Sequence, residues 1–146
     1  MLSNSCKYGI RAVIYIASQN RESEKTGIKQ ISSDLGLPTP FLAKILQQLT
    51  KHKILISLKG PHGGFSVQKD PKKITLFDII KIIDGEGIFN DCIIHNTHCD
   101  YPRKSKYSCP LHDEYSVIRS GFITMCRNTT IYDLVNKSRN TEKIHI

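Results

Sequence analysis

No stretch of this 146-residue chain is apolar for long enough to cross a bilayer: the longest run, Ala12 to Ala17, falls far short of the roughly 20 residues a membrane helix needs. The N-terminus, MLSNSCKYG, has no basic segment leading into an apolar core, so no secretory signal is expected and a cytoplasmic location is the default. Internal repeats and low-complexity tracts are missing too. A Cys-x-x-Cys redox pair is absent, and no convincing set of nucleophile, base and orienting group can be assembled, which argues against an enzyme. The five cysteines are odd in number, with Cys6 and Cys126 far from Cys92, Cys99 and Cys109. That spacing argues against a closed disulfide framework, and clustered thiols in a reducing compartment point instead to metal or redox chemistry. Acids are scarce, 13 against 21 Lys and Arg for a net charge of +8, which favours nucleic acid or an anionic membrane as partner.

What is present reads as one domain of helices with a small strand pair. Tyr8, Ala12, Tyr15 and Ile16 recur at the spacing of an amphipathic helix ending near Gln19. A short helix with Ile28, Ile31 and Leu35 on one face follows and is closed by Gly36, where a left-handed residue can terminate it. After Leu37-Pro38, Thr39 is the expected N-cap and Pro40 the first helical residue. Leu42, Ile45, Leu46 and Leu49 form the buried stripe of this third helix. Two short helices joined by a Gly-Leu-Pro turn make a helix-turn-helix. The stripe leaves Thr39, Ala43, Lys44, Gln47, Gln48 and Lys51 facing outward, small, amide-bearing or positive residues suited to base edges and phosphates.

Ile54 to Leu58 and Phe65 to Val67 then alternate as strands, joined by KGPHGG, Lys59 to Gly64, a turn that lets backbone approach a partner closely. Helix-turn-helix, strand, glycine-rich basic tip and strand together make a winged helix. Lys59, Gly60, His62, Gly63 and Gly64 are its candidate contacts to DNA. Between Lys44 and Lys73 stand seven lysines and one acid, Asp70, six of the eight net charges on the part expected to meet DNA.

A fourth helix is announced by Thr75 as N-cap with Asp78 at the capping-box position, and by Gly85 as stop. Beyond it lies a long stretch without periodicity, containing CIIHNTHCDYPRKSKYSCPLH, Cys92 to His112; such loops in a compact domain are commonly functional. Leu111, Tyr115, Ile118, Phe122 and Met125 then recur at steps of 4, 3, 4 and 3, the seam of a long helix that meets another helix. One small domain has little core left to cover that seam, so a homodimer interface is expected there. A last helix begins at Thr130, with Asp133 at its capping-box position. The expected divisions are 1–85 for the winged helix-turn-helix, 86–110 for the cysteine loop and 111–146 for the dimerisation and C-terminal helices.

KYGIRAVIYIA, ISSDLGLPTPFLAKILQQL, KGPHGGF, TLFDIIKIIDG and the closing TIYDLV, with a cysteine-bearing loop ahead of a long helix, resemble the Rrf-two family of bacterial winged-helix regulators over nearly the whole chain. The resemblance implies a dimeric transcription factor bound to double-stranded DNA. Several members of that family hold an iron-sulfur cluster with three cysteines of this loop, and others lack it. By resemblance the cluster positions are Cys92, Cys99 and Cys109, although their spacing is longer than the compact one of cluster-binding members. A longer connection adds little closure entropy, and Arg103, Lys104 and Lys106 favour thiolates and offset cluster charge.

For the fourth ligand His112 ranks first, as in members with a histidine three residues after the last cysteine. Cys6 ranks second: it neighbours Lys7, which stands where other members place an acid. A small exogenous ligand ranks third. Zinc is an alternative, since Cys92-x2-His95 and Cys109-x2-His112 form two ligand pairs, as is a metal-free thiol switch. His95, His98 and Cys126 are expected to be bystanders, Cys126 in the core.

Overall fold

The computed structural model describes residues 1–19, 25–95, 98 and 109–139. Helix α1 (Asn4–Gln19) is the central element, with Ala12, Val13 and Ile16 fully buried. Helices α2 (Ile28–Leu35) and α3 (Thr39–Lys51) pack on it. The expected stop at Gly36 is present: its φ of 60° is left-handed and its amide returns to the Ser32 and Ser33 carbonyls.

The start of α3 differs from expectation. Pro38 takes the N-cap position and Thr39 is the first helical residue. The Thr39 hydroxyl meets Ser32 Oγ at 2.7 Å, and Ser32 Oγ donates to the Leu37 carbonyl at 2.5 Å. The hydroxyl expected to cap the helix therefore pins the turn, which fixes α3 relative to α2. At its other end α3 closes in a Schellman motif, Lys53 N–H donating to the Thr50 carbonyl at 2.9 Å and Ile54 N–H to that of Leu49 at 3.0 Å. Lys53 itself has φ 60°, a conformation that usually belongs to glycine.

Strands β1 (Leu55–Leu58) and β2 (Gly64–Val67) pair antiparallel, Leu55 opposite Val67 and Leu58 opposite Gly64. A third backbone segment, unmarked in the sequence, lines the other edge of β2: Thr26 and Phe65 exchange two hydrogen bonds of 2.9 Å. Gly64 is required there, because a Cβ at that position would lie 2.7 Å from the Thr26 carbonyl oxygen. Two backbones meet where a side chain has no room.

Helix α4 (Leu76–Asp84) carries the expected reciprocal capping box. Asp78 N–H donates to Thr75 Oγ1 at 3.2 Å and Thr75 N–H to the Asp78 carboxylate at 2.9 Å. The stretch after it is not wholly aperiodic. A short helix α5 (Gly87–Asn90) turns Phe89 inward, its ring stacked on Phe77 at 4.2 Å between centroids and 6.0 Å from Phe122. These rings, with Ile80, Cys6 and Cys126, form a second apolar cluster beside the main core.

Helix α6 (His112–Asn128) leaves that cluster and is followed by α7 (Ile131–Arg139), which Thr130 and Asp133 cap as α4 is capped. Ile131 and Val135 bury themselves in the main core with α1. Ile131 N–H donates to the Ile74 carbonyl and Leu76 N–H to that of Thr129, at 2.9 and 3.0 Å. The chain after residue 111 thus rejoins the first core. No described helix is long and apolar enough to cross a membrane.

Candidate nucleic-acid interface and cysteine loop

The stripe of Leu42, Ile45, Leu46 and Leu49 turns one side of α3 into the core. On the opposite side Lys44, Gln47 and Lys51 are exposed and Ala43 is half-buried, while exposed Thr39 is held by Ser32. Gln48 departs from the outward face expected of it. It is half-buried, and its Nε2 donates to the Ile82 carbonyl at 2.5 Å; the amide is used to tie α3 to α4. Phe41, beside the buried stripe, is instead 60% exposed in the first turn of α3.

At the wing tip Lys59, Gly60 and His62 are exposed. Gly63 closes the tip by donating its N–H to the Gly60 carbonyl at 2.9 Å, and Gly63 and Gly64 are half-buried. Those two glycines therefore shape the wing, leaving Lys59 and His62 as its reach. Exposed Lys53 and Lys69 flank the strands on the same basic stretch.

Helix α6 divides its apolar residues between two sides. Phe122, Ile123 and Cys126 face the second cluster of the same chain, whereas Leu111, Val117, Ile118 and Met125 are exposed, Val117 at 73% and Ile118 at 67%. Of the expected seam, Leu111, Ile118 and Met125 stay uncovered. Tyr115 is half-buried, with the Arg119 guanidinium 5.8 Å from its ring centre, and Phe122 belongs to the core.

The cysteine loop brings together residues distant in sequence. Cys92 Sγ lies 3.6 Å from Cys109 Sγ and 3.4 Å from His95 Nδ1, and the three ligand atoms all lie within 4.8 Å of one another. Two thiolates on one tetrahedral metal, with metal–sulfur bonds near 2.3 Å, sit about 3.8 Å apart. The Cys92–Cys109 separation is thus of the size that one shared metal requires. The Ile94 backbone N–H points at Cys92 Sγ from 3.5 Å. That N–H, then the backbone and ring of His95, draw the Cys92 thiol down to about 6, which favours the thiolate, the form that binds metals. Cys99, Arg103, Lys104 and Lys106 lie outside the described residues.

The histidines fall in places other than those expected. His95, set aside as a bystander, joins the two thiols. His112 opens α6, half-buried, its backbone amide donating to the Cys109 carbonyl at 3.0 Å; it is not among the three grouped side chains. His98 pairs with Asp91 through Nδ1 at 2.8 Å. Cys6, the second-ranked fourth ligand, lies fully buried in the Phe89 cluster with Cys126. Burial, then the nearby Asp84 carboxylate, pushes its thiol up to about 12, and burial raises Cys126 as well. Within its own chain Cys6 is a core residue, because an apolar surround that suppresses the thiolate also suppresses metal binding.

A pinned helix-turn-helix, a two-stranded wing with a third backbone edge and a lysine-rich outer face define a winged-helix DNA-binding protein. The Rrf2 family, described as "Iron-dependent Transcriptional regulator", matches residues 2–137, and the chain belongs to it. A protein of Aquifex aeolicus (strain VF5), named among the HTH-type transcriptional regulators, is 31% identical over 136 residues, covering 93% of this chain and 92% of its own length. Of solved structures, CymR, the global cysteine regulator of B. subtilis, superposes with a TM-score of 0.74 at 22% identity, covering 94% of this chain and 97% of that one. T. potens IscR does so with a TM-score of 0.72 at 17% identity, covering 99% and 94%. The protein is accordingly a DNA-binding transcription regulator of the Rrf2 family with a winged-helix fold.

Proposed function

We propose that the protein acts as a homodimer in which α3 enters the major groove, the wing touches the adjacent backbone, and the cysteine loop reports metal or redox state to the DNA-reading face. Pairing through the exposed side of α6 would cover Leu111, Val117, Ile118 and Met125, and two α3 helices would then read half-sites about one helical turn or a multiple apart. The observation that carries the sensing part is the meeting of Cys92 and Cys109 at 3.6 Å immediately ahead of α6. A group bound there joins the α5 segment to the start of the helix that pairs the protomers. It shifts the spacing of the recognition helices only by its differential affinity for the two arrangements.

The chemistry of the donors fits an iron-sulfur cluster held by Cys92, Cys99 and Cys109, with a histidine as fourth ligand. Thiolates are the usual cluster ligands, and the lowered pKa of Cys92 favours that form. His95 is favoured for the histidine by its 3.4 Å approach to Cys92. When bound, the cluster would supply the sensitivity to oxidants, nitric oxide or iron supply; the chain's part is to hold the thiolates and transmit their spacing. A second reading, a single zinc ion on the same residues, is favoured by the one-metal separation of Cys92 and Cys109 and by the presence of His95.

Anaerobic purification followed by visible spectroscopy and iron, sulfide and zinc assays tests these readings. Brown protein with about equal iron and sulfide is expected, and colourless protein with stoichiometric zinc would move the assignment to the second reading. Duplex binding should fall steeply with salt as lysine-phosphate contacts release counterions, and Lys44→Ala should reduce that slope. Equal binding by loaded and metal-free protein at every site selected from random duplexes would remove the switch.

A further inference from the structure

We propose that Phe41 is a specificity residue that recognises thymine through its 5-methyl group in the major groove. The inference rests on the docking of α3 described above and goes beyond it by naming what the helix selects. Phe41 stands in the first turn of α3 and is 60% exposed. Among the described residues, the other large exposed apolar side chains divide among the free face of α6, the cysteine loop, the β1 strand, the terminus and Tyr132, whose ring lies under Lys72. Phe41 belongs to none of these groups.

Its neighbours make the first turn of α3 apolar in chemistry and positive in setting. Pro40 beside it is exposed and Ala43 is half-buried, while Lys44 is exposed one turn further on. Residues three apart lie on neighbouring positions of the helix surface, so the Phe41 ring and the Lys44 stem share one side. The polar candidates for base reading are correspondingly few. Gln48 is committed to the Ile82 carbonyl and Thr39 to Ser32, which leaves Gln47 as the amide free to face a base edge.

A recognition helix presents its N-terminal residues to the bases. In the major groove the thymine methyl is the one apolar mark, and phenylalanine, alanine and threonine methyls are the side chains that read it. The lysines draw the duplex to this face and fix its phosphates. The ring then gains by covering methyl groups that water otherwise wets. Pro40 keeps the first turn rigid, and the Ser32–Thr39 hydrogen bond holds it to α2, so the ring is presented without a large loss of freedom on binding.

The test starts from duplexes selected out of a random library by the full-length protein, in whichever loading state binds more tightly. Each thymine of the enriched half-site is then replaced by uracil, which removes the methyl and nothing else. One or two positions per half-site should weaken by about fourfold each. Those penalties should vanish in Phe41→Ala, persist in part in Phe41→Leu and remain in Lys44→Ala. Uracil tolerated at every position, an enriched site without thymine, or an unchanged penalty in a folded Phe41→Ala protein would each overturn the proposal. Loss of affinity in Phe41→Ala that is equal for thymine and uracil sites would do so too, by assigning the ring to the sugar-phosphate backbone. A selection that enriches no sequence at all would overturn the groove docking of α3 itself, a distinguishable failure.

Discussion

Cys6 and Cys126 lie without exposed surface among Ile80 and Phe89, whereas Cys92 and Cys109, on either side of the loop, are half-exposed and 3.6 Å apart. The same side chain is used in opposite ways. In the first pair burial raises the thiol, to about 12 for Cys6, and sulfur serves as a small apolar filler. In the second, backbone N–H groups near Cys92 hold it at about 6 and sulfur is ready as a ligand. Reactivity is thus kept out of the core and confined to one loop.

The largest expected effect would break that contrast most directly. In metal-free protein at pH 7 roughly nine-tenths of Cys92 should be thiolate, against a vanishing fraction of Cys6. Its folded pKa lies below that of an ordinary thiol, so the thiolate persists as pH falls until about 6 and is lost below. Alkylation of Cys92 should therefore proceed rapidly at neutral pH with a half-maximal rate near pH 6, while Cys6 and Cys126 resist until the protein unfolds. Peptide mass spectrometry after timed iodoacetamide exposure reads this out, and equal labelling of Cys126 and Cys92 would dissolve the distinction.

The second effect is energetic. Phe89→Ala removes the ring between Phe77 and Phe122 and should cost about 3–5 kcal/mol in urea unfolding. Cys126→Ala, deleting a single buried sulfur from the same cluster, should cost about 1 kcal/mol and leave metal content intact. Cys92→Ala should do the reverse, abolishing metal binding with a change within about 0.5 kcal/mol in the stability of the metal-free protein.

Much of the scaffold was legible because its signals are local. The two capping boxes, Thr75 with Asp78 and Thr130 with Asp133, need only a three-residue spacing, and each should lose about 1 kcal/mol when its threonine becomes alanine. The helix-turn-helix, the wing and the stop at Gly36 are equally short-range. What escaped the sequence depends on partners far along the chain. The bridge between Thr26 and Phe65 is made by backbone alone, Gln48 turns inward to meet Ile82, and α5 is too short for periodicity to reveal that Phe89 is buried. At the site, the thiols marked Cys92 and Cys109 as a pair, and the structure brings their sulfurs together. That His95 lies beside them was not legible, since Cys92-x2-His95 and Cys109-x2-His112 have the same spacing and only the fold distinguishes them.

Lys53 sharpens the comparison between residues kept for the fold and residues kept for function, and its expected effect is the smallest. It sits at the left-handed position that closes α3, with φ 60°, where a Cβ costs roughly 1–2 kcal/mol. Glycine would relieve that strain and return part of the gain through its freer unfolded chain, so Lys53→Gly should stabilise the protein by about 0.5 kcal/mol. Lys53 is exposed between α3 and the wing on the basic stretch, where its charge can meet a phosphate. Lys53→Gly should accordingly weaken duplex binding to all sequences alike and lower the salt slope by about one. Stabilisation with unchanged affinity would place Lys53 with the solvated surface.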